Sequence, residues 1–546
     1  MKRCKKWISL LMAGMLVTAT LAGCGNSGNG KTDTTAAAGT AAAGTESAVD
    51  AGTGNGTAAG DRNIVFGLNN TWGSVLPFEN TSTYTAVILD TLYEPLVMAT
   101  DHTETRAAES IDVSEDGLLW TVHLNPACVW SDGEPCTAED WVWTLQSFTS
   151  PEFGAHGSTY RYSQMEGTDD TGLVPEGGAL SVERVDEYTF TIGWKRPTYV
   201  DEFVGTSAKH FCAVPKHMLE DIPLSELESN EFWRNPVTNG CCTIVEETVA
   251  GQEITLAAKD EYYLGAPDFD RLTFRVVATS NAANAMVNGD IDVFYPVLSY
   301  EVNQEIVGQN GIHIIRDMSQ RTVNCMPINN SRYNANVRRA LNMLIDKKAL
   351  AMLKAGEDGV PAGDPYLMYM DYYKEYTHER DVEGAKALLD EENFDYDNTV
   401  ITLGVGDSSQ NVGMIIQQNL AEAGVQVDLR VGEATTVFAD QAEGNIDALI
   451  ISYREGFSPT YLSSHFAPAT DRYTHTEDTR FAELAEKINA CTDETEKLEL
   501  TQEMQQLFWD ECPWIFLYSV PEDIAFSAKV DSADGVFGIW KWKLAE

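Results

Sequence analysis

Trp130-Ser131-Asp132-Gly133-Glu134-Pro135-Cys136-Thr137-Ala138-Glu139-Asp140 decides how this chain is read. Ser131 to Pro135 is a turn by composition, since Gly, Pro and Asp punctuate local structure. Thr137 follows as a helix N-cap, and Asp140 three residues on completes a weak capping box. Trp141, Leu145 and Phe148 then supply the apolar face of that helix. Upstream, residues 119–124 alternate in character as a half-buried strand does. The local order is strand, turn, helix.

Working outward, Asn63–Leu68 reads as a short apolar strand, with further strands at 188–192 and 254–257. Residues 337–353 read as one amphipathic helix, its stripe made by Val337, Leu341, Leu344, Ile345 and Leu353. From Thr399 the pattern is clearest: strand 400–405, helix 411–423, strand 425–431, short helix 436–443, strand 446–453. Repeated β-α-β units imply an α/β fold with a mostly parallel sheet flanked by helices. Two polar helices, near 478–490 and 493–512, precede an apolar strand at 514–518. No internal repeat is apparent.

At the N-terminus, Lys2, Arg3, Lys5 and Lys6 precede a largely apolar stretch over 7–22. That stretch is short of the roughly 20 apolar residues needed to span about 30 Å of hydrocarbon. A charged start, a short apolar centre and small residues describe an export signal. Leu21-Ala22-Gly23-Cys24 resembles a bacterial lipobox, so 1–23 is expected to be a signal peptide and Cys24 the lipidated first mature residue. Its acyl chains would hold the protein on a membrane surface, facing the extracytoplasmic side. Residues 24–60 are then a flexible linker, too poor in large apolar side chains to fold. No later segment is apolar enough to span a membrane.

The 546-residue chain carries 83 Asp and Glu against 37 Lys and Arg, a formal net charge of −46. Such a balance excludes a nucleic-acid partner, which needs clustered basic residues, and reads as a solvated acidic surface. Disulfides are permitted in an exported protein, and Cys128 and Cys136, flanking the turn, make the candidate local pair. No Cys-x-x-Cys occurs, which argues against a redox motif or zinc knuckle. No Gly-x-Ser-x-Gly elbow, Walker loop, His-Glu-x-x-His or Ser-x-x-Lys is present, so the chain is not expected to be an enzyme and no cofactor is expected. His465, Asp471 and His475 lack the spacing of a helical metal pair and read as scattered surface residues.

Several motifs are recognisable together. Tyr93-Glu94-Pro95-Leu96-Val97, Asp116-Gly117-Leu118-Leu119-Trp120-Thr121-Val122-His123-Leu124, the opening stretch at Trp130–Asp140, Gly289-Asp290-Ile291-Asp292, and Val337-Arg338-Arg339-Ala340-Leu341 with Ile345-Asp346-Lys347 occur in that order. They resemble the signatures of the family 5 extracellular solute-binding proteins, the oligopeptide and dipeptide receptors of ABC importers.

The resemblance implies a periplasmic-binding-protein type II clamshell: two lobes plus an extra α+β domain inserted near the start of lobe I. By analogy 61–93, 215–322 and 518–546 build lobe I, 94–214 the extra domain and 323–517 lobe II. It implies a monomeric receptor that captures a short peptide and delivers it to an ABC permease. An oligosaccharide or a metal chelate is the alternative ligand, and a surface-anchored hydrolase the rival from another class.

In peptide-binding members a carboxylate four residues before a Pro pairs with the ligand's α-ammonium. Placing Pro459 on that Pro puts Glu455 on the carboxylate position, beside Tyr453 and Arg454. The family has Asp and a nearby Trp there, and this chain has neither. On the facing lobe the matching positions are Thr81 and Thr83, with Tyr84 adjacent and Trp72 as a stacking face. His156, Tyr160 and Tyr162 fall in a segment that borders the cleft in relatives. Tyr366, Tyr369, Tyr372, Tyr373 and Tyr376 offer further aromatic faces suited to a sugar or an aromatic ligand.

Overall fold

Two long antiparallel strands, His313–Pro327 and Trp514–Phe526, organise the molecule. Their pairing runs in two stretches. His313 to Asp317 face Phe526 to Glu522, and Arg321 to Pro327 face Pro521 to Trp514, with the main register break between Asp317 and Arg321 and a one-residue shift between Asn324 and Cys325. The first stretch adjoins a core containing Phe66, Leu272, Val293, Phe526 and Trp542. The second adjoins separate cores, one with Ile328, Leu341 and Leu517 and one with Val323, Phe466 and Phe516. The strand pair therefore passes from one lobe to the other, and the break lies between the cores.

This computed structural model describes residues 62–79, 82–99, 103–156, 159–198, 200, 211–297, 300–365, 379–406, 409–432, 434–454, 460, 462–468, 471, 473–491, 493–533 and 535–545. Within them a nine-stranded sheet runs in the order Ile451–Arg454, His313–Pro327, Trp514–Phe526, Val293–Val297, Asn63–Leu68, Arg271–Val276, Glu253–Ala258, Cys242–Val249, with Val360–Pro361 added on Trp514–Phe526. Asn63–Leu68 is central and parallel to both of its neighbours. Its Ile64, Phe66 and Leu68 are fully buried on one face in the core with Phe274 and Trp542, and Val65 on the other face packs against the cluster of Met286, Ile291 and Phe294. A three-stranded parallel sheet, Gln426–Val431, Val400–Val405, Ala448–Leu449, realises the β-α-β pattern.

The decisive stretch folds as its residues dictate. Gly133 takes φ +95° at the turn, and Trp130 N–H donates to the Glu134 carbonyl at 2.8 Å. Thr137 accepts from Glu139 N–H at 3.3 Å while Asp140 accepts from Thr137 N–H at 2.8 Å, closing the capping box on helix Ala138–Phe148. Trp141, Leu145 and Phe148 are all buried. The helix packs beside a four-stranded antiparallel sheet, Ala108–Val113, Leu119–Leu124, Thr189–Gly193, Val182–Arg184. This part has no core of its own. Phe78 of the segment after the first strand meets Phe148 at 5.2 Å and Phe153 at 5.0 Å, and one apolar cluster runs through both.

Three expectations need correction. Residues 337–353 are two helices, Ala335–Leu344 and Lys347–Ala355. Ile345 is extended between them, and Asp346 caps the second by accepting from Ala349 N–H at 2.9 Å. Both helices bury their apolar faces in one core, so the periodicity runs through the break. Residues 446–453 are two strands in different sheets: Ala448–Leu449 pairs with Val400–Val405, and Ile451–Arg454 with His313–Pro327. Cys128 and Cys136 are adjacent, Cys136 N–H donating to the Cys128 carbonyl at 3.1 Å. Among the described residues no disulfide joins them, and both thiols are buried, like Cys241, Cys242, Cys325 and Cys512.

Candidate functional site

The register break gives the site its frame. Arg321, fully buried, donates from Nε to Ser519 Oγ at 2.8 Å and from Nη2 to the Ser519 carbonyl at 3.1 Å. It fixes the second-lobe side of the break to the facing strand. On the first-lobe side, Glu522 faces Asp317 and accepts from the Tyr295 hydroxyl.

Tyr84 lies on that first-lobe side. It is half-buried on helix Thr83–Leu92, whose N-cap Ser82 accepts from Thr85 N–H at 3.2 Å. Burial, and then the negative charge of Glu522, push its hydroxyl above the usual tyrosine range. Thr83 opens the same helix, half-buried. Thr81 lies outside the described residues.

Tyr453 and Arg454 lie on the second-lobe side. Arg454 pairs with Thr322, next to Arg321, and Tyr453 pairs with Val323. The strand Ile451–Arg454 ends the large sheet, so among the described residues its outer edge has no strand partner. Glu455 is the next residue in sequence and lies outside the described residues, as do Tyr366, Tyr369, Tyr372, Tyr373, Tyr376 and Cys24. The structure thus brings Tyr84 to one flank of the break and Tyr453-Arg454 to the other.

Other expected contacts sit elsewhere. Trp72 is 2% exposed, its carbonyl accepting from the Thr85 hydroxyl and its ring packed in the first-lobe core. The ring offers no free stacking face in this conformation, although its buried indole N–H has no hydrogen-bond partner among the described residues. Tyr453 packs at ring distances of 5.1 Å from His465 and 5.4 Å from Trp514. Tyr160 is 56% exposed, with the Arg161 guanidinium 5.0 Å from its ring centre. Tyr162 is buried against Phe211. His156 contacts Glu79, with Nδ1 3.1 Å from Oε1.

His465 belongs to the aromatic cluster around Trp514, and His475 Nε2 lies 3.1 Å from the Gln441 carbonyl. Asp471 accepts from the amides of Tyr473, Thr474 and Thr476. All three are structural and partly buried rather than scattered surface residues. A cavity lined by Asn330, Arg338, His475, Asp478, Phe481 and Glu511 contains none of the expected ligand contacts. Sequence reasoning missed Arg321, Ser519 and Glu522. Their importance comes from the register break, which leaves no local signal.

The model of the bacterial extracellular solute-binding proteins, family 5 (middle), matches residues 103–471, more than half of the chain. The oligopeptide-binding protein AppA of Bacillus subtilis (strain 168) is 24% identical over 478 residues, which cover 80% of this chain and 83% of AppA. Among solved structures, the ABC transporter substrate binding protein CtaP of Listeria monocytogenes matches with a TM-score of 0.78 at 21% identity, covering 89% of this chain and all of that one. AppA of Bacillus subtilis in complex with a nonapeptide matches with a TM-score of 0.67 at 21% identity, covering 89% of this chain and 99% of AppA. The fold is the two-lobed type II clamshell of the periplasmic binding proteins. The chain belongs to the family 5 bacterial extracellular solute-binding proteins.

Proposed function

We propose that this chain captures a short peptide between its lobes and delivers it to an ABC permease, tethered to the membrane through lipidated Cys24. The observation that carries the reading is that Tyr84 senses Glu522 on one flank of the Asp317–Arg321 register break while Tyr453-Arg454 pairs with Val323 and Thr322 on the other. An extended peptide lying along Ile451–Arg454 is held by main-chain hydrogen bonds, with pockets for its alternate side chains. Glu455, the next residue in sequence, supplies a carboxylate for the peptide's α-ammonium, a strong charge-assisted contact. Thr81, Thr83 and Tyr84 close over it from the other lobe. The bulge at 318–320 is the hinge, and the ligand favours closure only through contacts made better in the closed state.

The lobes meet within the two long strands at the register break, a few residues from the expected bounds 322/323 and 517/518, and 94–214 forms the extra domain on lobe I. The receptor acts as a monomer without catalysis. AppA, the relative solved with a nonapeptide, supports the peptide ligand by kinship. A direct experiment is to incubate the purified protein with a defined mixture of short peptides, wash, and identify by mass spectrometry what stays bound. Retention of peptides at one per chain is expected. Retention of none, with oligosaccharides retained instead from a parallel mixture, overturns the reading.

A further inference from the structure

Three residues from distant parts of the chain converge beside the first lobe's aromatic core. Glu79 ends the turn Pro77–Glu79, His156 follows Phe153 in a loop, and Glu228 lies just past the helix Leu224–Leu227. One ring nitrogen of His156 and one carboxylate oxygen from each Glu all lie within 4.8 Å of one another. Phe78, next to Glu79, holds the cluster in place, with its ring 5.1 Å from that of His156 and 5.5 Å from that of Trp233.

The imidazole is fixed on both sides. Nε2 lies 3.2 Å from the Phe153 carbonyl oxygen and Nδ1 3.1 Å from Glu79 Oε1. A carbonyl oxygen only accepts, so Nε2 carries the proton. Nδ1 of the neutral ring then turns a lone pair toward a carboxylate oxygen, which is also only an acceptor. Such a contact needs a cation: a second proton on the ring, or a metal ion shared by both groups.

Glu228 favours the metal ion. One proton on Nδ1 satisfies Glu79 alone, whereas a divalent ion uses a second carboxylate. Two donors, each about 2.0–2.1 Å from a tetrahedral metal ion, stand about 3.3 Å apart, close to the observed separation of Nδ1 and Oε1. The Glu228 side chain is exposed and can rotate inward to complete the set. Metal-binding histidines characteristically donate the other ring N–H to a carbonyl or carboxylate, which fixes the tautomer. The Phe153 carbonyl takes that part here.

We propose that Glu79, His156 and Glu228 bind one borderline divalent cation of the Zn2+ type. Imidazole among the donors disfavours Mg2+ and Ca2+, which prefer all-oxygen shells. Three protein ligands leave a coordination position for water. The bound ion ties the segment leaving the first strand to the loop after helix Ala138–Phe148 and to the segment at 224–228.

The test uses the purified protein, stripped with a chelator and titrated with ZnCl2 by calorimetry, alongside Glu228→Gln and His156→Gln. Glu228 is exposed, so its substitution leaves the fold intact. The expected result is one equivalent of Zn2+ bound by the unsubstituted protein, with affinity reduced at least tenfold in each variant. Co2+ in place of Zn2+ is expected to give visible ligand-field absorption that His156→Gln abolishes. Absence of stoichiometric uptake, or unchanged affinity in either variant, overturns the proposal and leaves a protonated His156 paired with Glu79.

Discussion

Glu94 and Arg106 form an ion pair sealed from solvent, Arg106 Nε lying 2.8 Å from Glu94 Oε2 with both side chains 0% exposed. Asp90 lies 3.1 Å from Nη1 of the same guanidinium, Tyr262 and Tyr263 donate to Glu94, and Trp540 stacks 4.0 Å from the guanidinium carbon. Asp90 also accepts from Gly538 N–H at 2.9 Å. The Glu of the Tyr93–Val97 motif is thereby the centre of a joint between the first helix, the inserted segment and the C-terminal segment. Its role is structural.

Breaking that joint leaves a buried charge uncompensated, which costs about 3–5 kcal/mol. Arg106→Met, which strips both Glu94 and Asp90 of their cation, is expected to lower unfolding stability by about that amount in urea titration, and Glu94→Gln by less, because Asp90 still pairs with Arg106. The double variant is expected to lose less than the two singles summed, because they remove the same contact. Additive losses would show that the pair is not coupled.

The capping box makes a smaller and cleaner prediction. Thr137→Ala removes the acceptor for Glu139 N–H and is expected to cost about 1 kcal/mol, the usual value of a lost N-cap. Urea midpoints at unchanged slope check it. No change would mean that Asp140 alone holds the helix start.

Lys347 gives a pH dependence. It is buried, with Nζ donating to the Ala362 carbonyl at 2.8 Å, and burial pulls its pKa down to about 8. Its folded pKa lies below the unfolded one, so between about pH 8 and pH 10.4 the unfolded chain binds more protons and stability rises with pH. Below that window the charged, buried ammonium costs up to about 3 kcal/mol. Lys347→Met is therefore expected to be more stable than the unsubstituted protein at pH 7, with the difference shrinking toward pH 10. A difference independent of pH would contradict the assignment.

Elements whose burial follows local pattern were legible in the sequence. Asn63–Leu68 and Val400–Val405 have the expected bounds, because each is a short apolar run closed by polar residues. Trp514–Phe526 runs eight residues beyond the expected end because its charged residues are paired: Glu522 with Tyr295, and Asp523 with Asn303 and Arg316. Charges in a strand read as its end unless their partners are known. The split at Ile345-Asp346 was signalled by an N-cap residue, yet unbroken periodicity outweighed it. At the candidate site, Tyr84, Tyr453 and Arg454 are proposed through family resemblance. The meeting of His156 with Glu79 and Glu228 was invisible, since 77 residues separate the first pair and only the tertiary fold joins them.

Peptide capture as proposed depends on Glu455 as the anchor for the α-ammonium, and thermal unfolding of the purified protein with a bound peptide tests this most directly. Ligands that bind only the folded state raise the midpoint. The expected result is a rise with a peptide retained in the capture experiment, little rise with its N-acetylated form, and loss of the rise in Glu455→Gln. An equal rise with the acetylated peptide and with the Glu455→Gln variant would contradict the account.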